Sequence, residues 1–246
     1  LLPDTLDEFK KQFIDLKTQQ KRIRQDIEKR ILNVLDHGRY IMGPEIKELE
    51  QTLAEYVGVK HCVTCSSGTD ALLMPLMAWN IGPGDAVFVP TFTFIATAEM
   101  VQLLGATPVF VDIDNDTFNM DPVKLEEKIF EVIRDGKLKP QAVIPVDLFG
   151  LPANYPEIQK IADAHDILVL EDGAQGFGGK IGDQKVCSFG DAATTSFFPA
   201  KPLGGYGDGG AVFTNDDDLA EKLESIRVHG KGSDKYDNIR VGINGR

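Results

Sequence analysis

The sequence is short of several things, and each shortage closes a possibility. Its 246 residues hold three cysteines, Cys62, Cys65 and Cys187, an odd count that favours free thiols in a reducing compartment over a disulfide-stapled scaffold. Cys62 and Cys65 have the C-x-x-C spacing, but no second cysteine or histidine pair completes a tetrahedral site, so no metal is expected. Positive charge is scarce, with 26 Lys and Arg against 38 Asp and Glu. Neutralising phosphates needs a basic surface, so neither nucleic acid nor an anionic membrane is expected as a partner. There is no unbroken apolar span either: residues 86–111 carry Glu99 as their only charge, yet Pro90, Gly105 and Pro108 divide them into strand, turn, helix and strand. No signal-like segment opens the chain, and the expected location is cytoplasmic.

What is present is an ordinary globular composition, 42% hydrophobic, long enough to bury a large core. One local exception to the acidity stands out. From Arg227 to Arg246 there are five Lys or Arg against two Asp, which suits either an anionic ligand or a solvated basic loop.

Apolar positions at Ile14, Leu16, Ile23, Ile27, Ile31, Leu32 and Leu35 predict an amphipathic helix over Phe13 to His37, stopped at Gly38. A second helix is predicted over "GPEIKELEQTLAEYVG", with Pro44 in its first turn. Then "HCVTCSS" reads as a short β run passing into a helix at "GTDALLMPLMAW". Next come strands at "AVFVP", "TPVFVDI", "AVIPVDLFG" and "ILVLEDGA", separated by helices near "IATAEMVQLLG", "DPVKLEEKIFEVIRDG" and "YPEIQKIADAHD". This alternation predicts an α/β fold, a mostly parallel sheet covered by helices on both faces. "DAATTSFF" and "GGAVFTN" read as two further strands. In such sheets ligands sit at the carboxyl ends of strands.

Three junctions are informative. In "SSGTDALL" a glycine and hydroxyls open a helix, where free N–H groups and the positive dipole end suit a phosphate or simply form an N-cap. In "LVLEDGAQGFGG" a strand ends in Glu171 and Asp172, followed by Gln175; such a carboxylate suits a base, a cationic heterocycle or a helix cap. In "TSFFPAKPLGGYGDGG" a single lysine, Lys201, stands five residues after Ser196 between apolar residues, prolines and glycines. An amine framed in this way suits attack on a carbonyl better than an ordinary solvated loop does. Together these features supply what pyridoxal phosphate needs: a phosphate cradle, an acid for its ring nitrogen and a lysine for its aldehyde. Phe92 and Phe94 in "PTFTFIATA" offer an aromatic face or core packing. A dinucleotide-dependent oxidoreductase is the rival suggested by "GGYGDGG", but those glycines precede a strand instead of opening a helix.

The motifs "GPEIKELE", "SSGTDAL", "PTFTFIATA", "VDLFG", "EDGAQGFG", "TSFFPAKPLGGYGDGGAVFTND" and "RVGINGR" resemble, in order and spacing, the pyridoxal-phosphate sugar aminotransferases of the DegT/StrS type, from about Phe13 to the last residue. The resemblance implies the large domain of the fold type I, aspartate aminotransferase-like enzymes. Lys201 would be the Schiff-base lysine and proton carrier, and Asp172 the partner of the pyridine nitrogen. Gln175 would reach the ring hydroxyl, Phe94 would stack on the ring, and Gly68, Thr69 and Ser196 would hold the phosphate. Asn244 would reach the phosphate of a neighbouring subunit in a homodimer, and Arg246 would face the substrate across that interface. The implied reaction is ping-pong transfer of an amino group from glutamate to a UDP-linked keto sugar, for bacterial surface polysaccharide. The 3-keto group of a 2-acetamido hexuronic acid is the leading substrate, with a 4-keto-6-deoxy nucleotide sugar, or an inactive fragment of either enzyme, as the alternatives. The domains expected are an N-terminal extension and helix over 1–40 and a cofactor-binding large domain over 41–246. The family's smaller C-terminal domain is not found after Arg246.

Overall fold

The computed structural model describes residues 14–234 and 236–246; expectations for residues 1–12, and for Phe13 as the helix start, fall outside that range. The chain divides into two compact units, Leu1–Gly43 and Pro44–Arg246. In the first, helix α1 covers Leu16–His37. Asp15 caps it, accepting from Thr18 N–H at 3.0 Å and Thr18 Oγ1 at 2.6 Å, and Gly38 ends it in a left-handed conformation at φ 66°. The periodic apolar residues of the sequence are there, but α1 buries none of its residues, and Ile31, Leu32 and Leu35 are all more than half exposed.

The second unit is built on a seven-stranded sheet. Its elements are α2 (Pro44–Val57), β1 (His61–Cys65), α3 (Gly68–Ala78), β2 (Asp85–Pro90), α4 (Ala96–Leu103), β3 (Thr107–Val111), α5 (Pro122–Asp135), β4 (Lys139–Val143), α6 (Tyr155–His165) and β5 (Leu168–Asp172). There follow the two-stranded hairpin β6 (Lys180–Ile181) and β7 (Gln184–Lys185), then β8 (Ala192–Ser196), β9 (Gly210–Thr214) and α7 (Asp217–Arg227). The main sheet runs β1-β9-β8-β5-β4-β2-β3. Only β9 runs against its neighbours, pairing antiparallel with β1 and β8; the other pairings are parallel.

Alternation along each strand explains the two-sided cover. Val87 and Val89 of β2 join a core with α3, α4 and α7, whereas Ala86 and Phe88 join a second core with α5 and α6. Beside them Ala193, Ala211 and Phe213 pack with Leu53, Ala54 and Val57 of α2. β2 and β5 are therefore apolar through their middles on both faces, whereas β8 carries Thr194, Thr195 and Ser196 in its carboxyl half.

Three elements differ from the sequence reading. Helix α7 and the β6–β7 hairpin were not foreseen. The first half of α7 is so acidic that its apolar stripe, Leu219, Ala220, Leu223 and Ile226, is sparse, and the hairpin strands are two residues each. The apolar run "AVIPVDLFG" is strand only in its first part; β4 starts earlier and stops at Val143, and the run ends in a 3-10 turn at Leu148–Gly150.

Candidate active site

The carboxyl ends of β1, β5 and β8 meet around Asp172. At the first, Ser67 caps α3 by accepting the Asp70 N–H at 3.0 Å, and Ser67 O accepts the Ala71 N–H. The N–H groups of Gly68 and Thr69, at the very start of the helix, lie beyond the reach of intrahelical bonding and of this cap. Ser196, the last residue of β8, lies against them: a Cβ at Gly68 would stand 2.6 Å from Ser196 Cβ and 2.9 Å from its Oγ. A Cβ at Gly210, paired with Ser196 in the sheet, would stand 2.5 Å from Ser67 O. Only glycine lets the helix start, the Ser196 hydroxyl and β9 come this close. The start of α3 at Gly68 and Thr69 and the Ser196 hydroxyl, separated by more than a hundred residues of sequence, are thus brought together, with free N–H groups beside a hydroxyl.

The second junction holds Asp172, 5% exposed. Its Oδ2 accepts from Thr97 Oγ1 at 2.9 Å and its Oδ1 from Ala174 N–H at 3.3 Å. Burial pushes its pKa up, opposed by those two bonds and by the positive charge of Lys201. Desolvation prevails, which is the condition of a carboxylate with room for a cation. Gln175 follows, its Oε1 accepting the Phe149 N–H at 3.0 Å, so its amide N–H groups are left as donors.

The third junction carries Lys201. The segment between β8 and β9 folds back on itself, with Phe197 N–H donating to Gly209 O, Gly205 N–H to Phe197 O, and Lys201 N–H to Phe198 O. Those bonds pin a half-buried lysine beside the strand ends, within electrostatic reach of Asp172. Residues from three junctions are thereby brought together.

The aromatic residues lie at the rim. Phe94 is 66% exposed and Phe92 47%, so neither is core. Phe92 packs against Phe118 and Phe149, with ring centroids 6.0 and 6.2 Å apart. Asn244 and Arg246 are exposed on a segment held to the end of α7, where Ile243 N–H donates to Ile226 O and Gly245 N–H to Arg227 O. Among the described residues no hydrogen bond joins either side chain to Lys201, Asp172 or Ser196.

Sequence reasoning missed Thr97, although it lies in the singled-out motif "PTFTFIATA"; a threonine opening a helix has no marker of what its hydroxyl will meet across 75 residues. It also left Glu171 undecided, and passed over Asp147 and Tyr155. The C-x-x-C cysteines sit on β1 and are buried, which pushes both thiols up, Cys65 to about 12. Among the described residues no helix is long and apolar enough to cross a membrane.

The pattern of the DegT/DnrJ/EryC1/StrS aminotransferase family matches residues 21–246. The chain belongs to that family. A Pseudomonas aeruginosa UDP-2-acetamido-2-deoxy-3-oxo-D-glucuronate aminotransferase is 51% identical over 235 residues, 96% of this chain and 63% of the relative. A UDP-N-acetyl-3-dehydro-alpha-D-glucosamine 3-aminotransferase of Acidithiobacillus ferrooxidans is 45% identical, with 95% of this chain and 61% of the relative covered. Among solved structures, a DegT DnrJ EryC1 StrS aminotransferase from Brucella abortus superposes with a TM-score of 0.95 at 55% identity, covering 96% of this chain and 63% of that one. Ntda from Bacillus subtilis, solved with bound cofactor PMP, has a TM-score of 0.85 at 31% identity, with coverage of 96% and 53%. The chain therefore spans about three fifths of the length of the curated relatives it matches. The fold is that of the fold type I aminotransferases, a mostly parallel sheet flanked by helices, as the alternation of elements predicted.

Proposed function

We propose that this chain is the cofactor-binding large domain, over residues 41–246, of a pyridoxal-phosphate-dependent nucleotide-sugar aminotransferase working as a homodimer. The observation that carries the reading is the meeting of a buried carboxylate, Asp172, with the charge of Lys201, beside a helix start that approaches Ser196 too closely for any residue but glycine. The cofactor fits these residues: the cradle is small and rich in donors, as a phosphate requires, and the desolvated carboxylate gains a partner in a protonated ring nitrogen. When bound, the cofactor supplies an aldehyde that forms an imine with an amine and an electron-withdrawing ring.

Each residue then has a task. Gly68 and Thr69 N–H groups and the Ser196 hydroxyl hold the phosphate. Asp172, fixed by Thr97 and Ala174, keeps the ring nitrogen protonated, and Gln175, whose carbonyl is tied to Phe149, donates to the ring hydroxyl. Phe94 covers one ring face. Lys201 would anchor the cofactor through its amine and would serve as the base and then the acid for the proton moved during amino transfer. Asn244 and Arg246, exposed on the basic last segment, would serve the partner's site, Asn244 at the phosphate and Arg246 at an anionic group of the substrate, which a guanidinium suits.

The acceptor we infer is the 3-keto group of a UDP-linked 2-acetamido hexuronic acid, with glutamate as donor and surface polysaccharide as the destination; the name of the Pseudomonas relative supports this acceptor. Incubating the intact protein with pyridoxal phosphate, reducing with borohydride and mapping the modified peptide tests the site. Label on Lys201 is the expected result, and label elsewhere or none overturns it. Glutamate-dependent amination of UDP-linked 3-keto substrates, set against 4-keto ones, tests the acceptor.

A further inference from the structure

Behind Asp172 lies a second pair of acids for which the reading above has no use. Asp147, in the turn after β4, and Glu171, the penultimate residue of β5, are both completely buried. Glu171 Oε1 accepts the Cys187 N–H at 2.5 Å and Oε2 the Phe189 N–H at 2.8 Å. Asp147 Oδ1 accepts the Ala153 N–H at 3.0 Å and the Tyr155 hydroxyl at 2.8 Å. Asp147 Oδ2 is buried with no donor among the described residues, while the Glu171 carboxyl lies within hydrogen-bonding reach of Asp147. Two carboxylates are both acceptors, and two adjacent buried anions repel; a single proton between them removes both the repulsion and the orphaned oxygen.

The pair is tied directly to Asp172. Asp147 N–H donates to Asp172 O at 3.0 Å and Asp172 N–H to Pro145 O at 2.9 Å, an extension of the β4–β5 ladder. The titratable groups facing the pair are Tyr155 of α6, Asp172 of β5 and Cys187 between β7 and β8. None is a cation, and burial pushes the Tyr155 and Cys187 groups up, which keeps both neutral.

We propose that Glu171 holds one proton and donates it to Asp147 Oδ2, so that the pair presents one fixed negative charge behind Asp172 and helps to hold the proton on the ring nitrogen paired with Asp172. Asp147 and Glu171 are then positioning residues, acting through Asp172. The directions of titration agree: desolvation raises both groups, Asp147 to about 6 and Glu171 well above the ordinary carboxyl range, as expected of two buried acids that share a proton. The inference rests on Asp172 being the ring-nitrogen partner.

Two measurements separate the pair itself from that assignment. The infrared spectrum of the cofactor-free full-length protein is expected to show the C=O stretch of a protonated carboxylic acid well above the ordinary carboxyl range of pH, and Glu171→Gln is expected to remove it. If wild type lacks this band, or Glu171→Gln keeps it, the shared proton is overturned whatever the function of the site. In the protein loaded with pyridoxal phosphate, the cofactor's absorbance is then titrated against pH. Asp147→Asn, which removes the fixed charge, is expected to lower the midpoint by roughly half a pH unit. Glu171→Gln keeps both the charge and a donor and is expected to leave the midpoint in place. Equal midpoints in the two variants overturn the link to Asp172. If Asp147→Asn does not fold, a displaced midpoint in Glu171→Gln overturns it instead. Failure of borohydride to label Lys201 is a separate result, which strikes the functional reading and not the pair.

Discussion

The inner wall of the site and its rim are held by different means. At the wall, Asp172, Thr97, Ser196 and Thr194 are all under 10% exposed, and their side-chain oxygens are hydrogen-bonded within the chain, Thr97 to Asp172, Asp172 to Ala174 N–H, Thr194 to Glu171 O and Ser196 to Phe198 N–H. At the rim, Phe94, Asn244 and Arg246 stand in solvent on turns that follow a strand or a helix. The wall is therefore built from side chains packed within this chain, whereas the rim side chains are exposed on it. Under the proposed function, cofactor chemistry would fall to the first, and substrate choice and subunit pairing to the second.

Substitutions that fall on one side or the other would break or sharpen that contrast. The largest effect is expected from Lys201→Ala in the intact enzyme, which should retain cofactor through the phosphate contacts, lose borohydride labelling and lower turnover by a factor of about 10³ or more; turnover near wild type would dissolve the contrast. Gly68→Val comes next. A side chain there must displace Ser196 or the helix start, and overpacking of this kind costs about 1–3 kcal/mol. Chemical denaturation should show that loss, and equilibrium titration should show cofactor affinity falling much further than stability.

The third prediction concerns pH. Asp147 is raised from 3.8 to about 6 in the fold, so between those values the folded state holds a proton that the unfolded state has released. The stability this contributes is fully present below pH 3.8 and is lost as pH rises through about 6. Asn cannot titrate, so the stability of Asp147→Asn relative to wild type should move in the variant's favour across that window, by on the order of 2 kcal/mol. Denaturant midpoints at several pH values would show it, and a pH-independent difference would contradict the buried acid. The smallest effect is expected from Phe94→Ala. Its ring is largely solvent-exposed, so thermal stability should be unchanged within about 0.5 kcal/mol, while cofactor affinity falls a few-fold; a large stability loss would move Phe94 from the rim to the wall.

Much of the fold was legible because the central strands are apolar on both faces and the helices between them keep a clear period. Where the signal failed, the cause is local. In α7 three aspartates at the start, Asp216, Asp217 and Asp218, make an N-cap and first turn but dilute the apolar stripe. In "AVIPVDLFG" the apolar run continues past the strand: Val146 and Leu148 are buried, but beyond Val143 only an isolated bridge, Val146 to Asp172, continues the pairing with β5. For α1 the period was legible and the burial was not, since a stripe states only that a helix forms.

The candidate site divides in the same way. Lys201 and Asp172 announce themselves by their local frames, a glycine and proline loop and a strand end. Thr97, Asp147 and Tyr155 do not, since each matters through an atom brought to it from 75, 24 and 8 residues away respectively.

The sequence by itself determined most of the order of strands and helices, apart from α7 and the β6–β7 hairpin, together with the glycine-framed lysine and the acid at the end of β5, because these depend on periodicity and on residues adjacent in the chain. Only the tertiary structure decided that Gly68 meets Ser196, that Thr97 bonds Asp172, and that Glu171 and Asp147 face one another. Parallel strands must be joined by long crossovers, so neighbours in the sheet are distant in sequence, and which side chains meet at a strand end follows from the strand order and from the turns and helices that leave those ends.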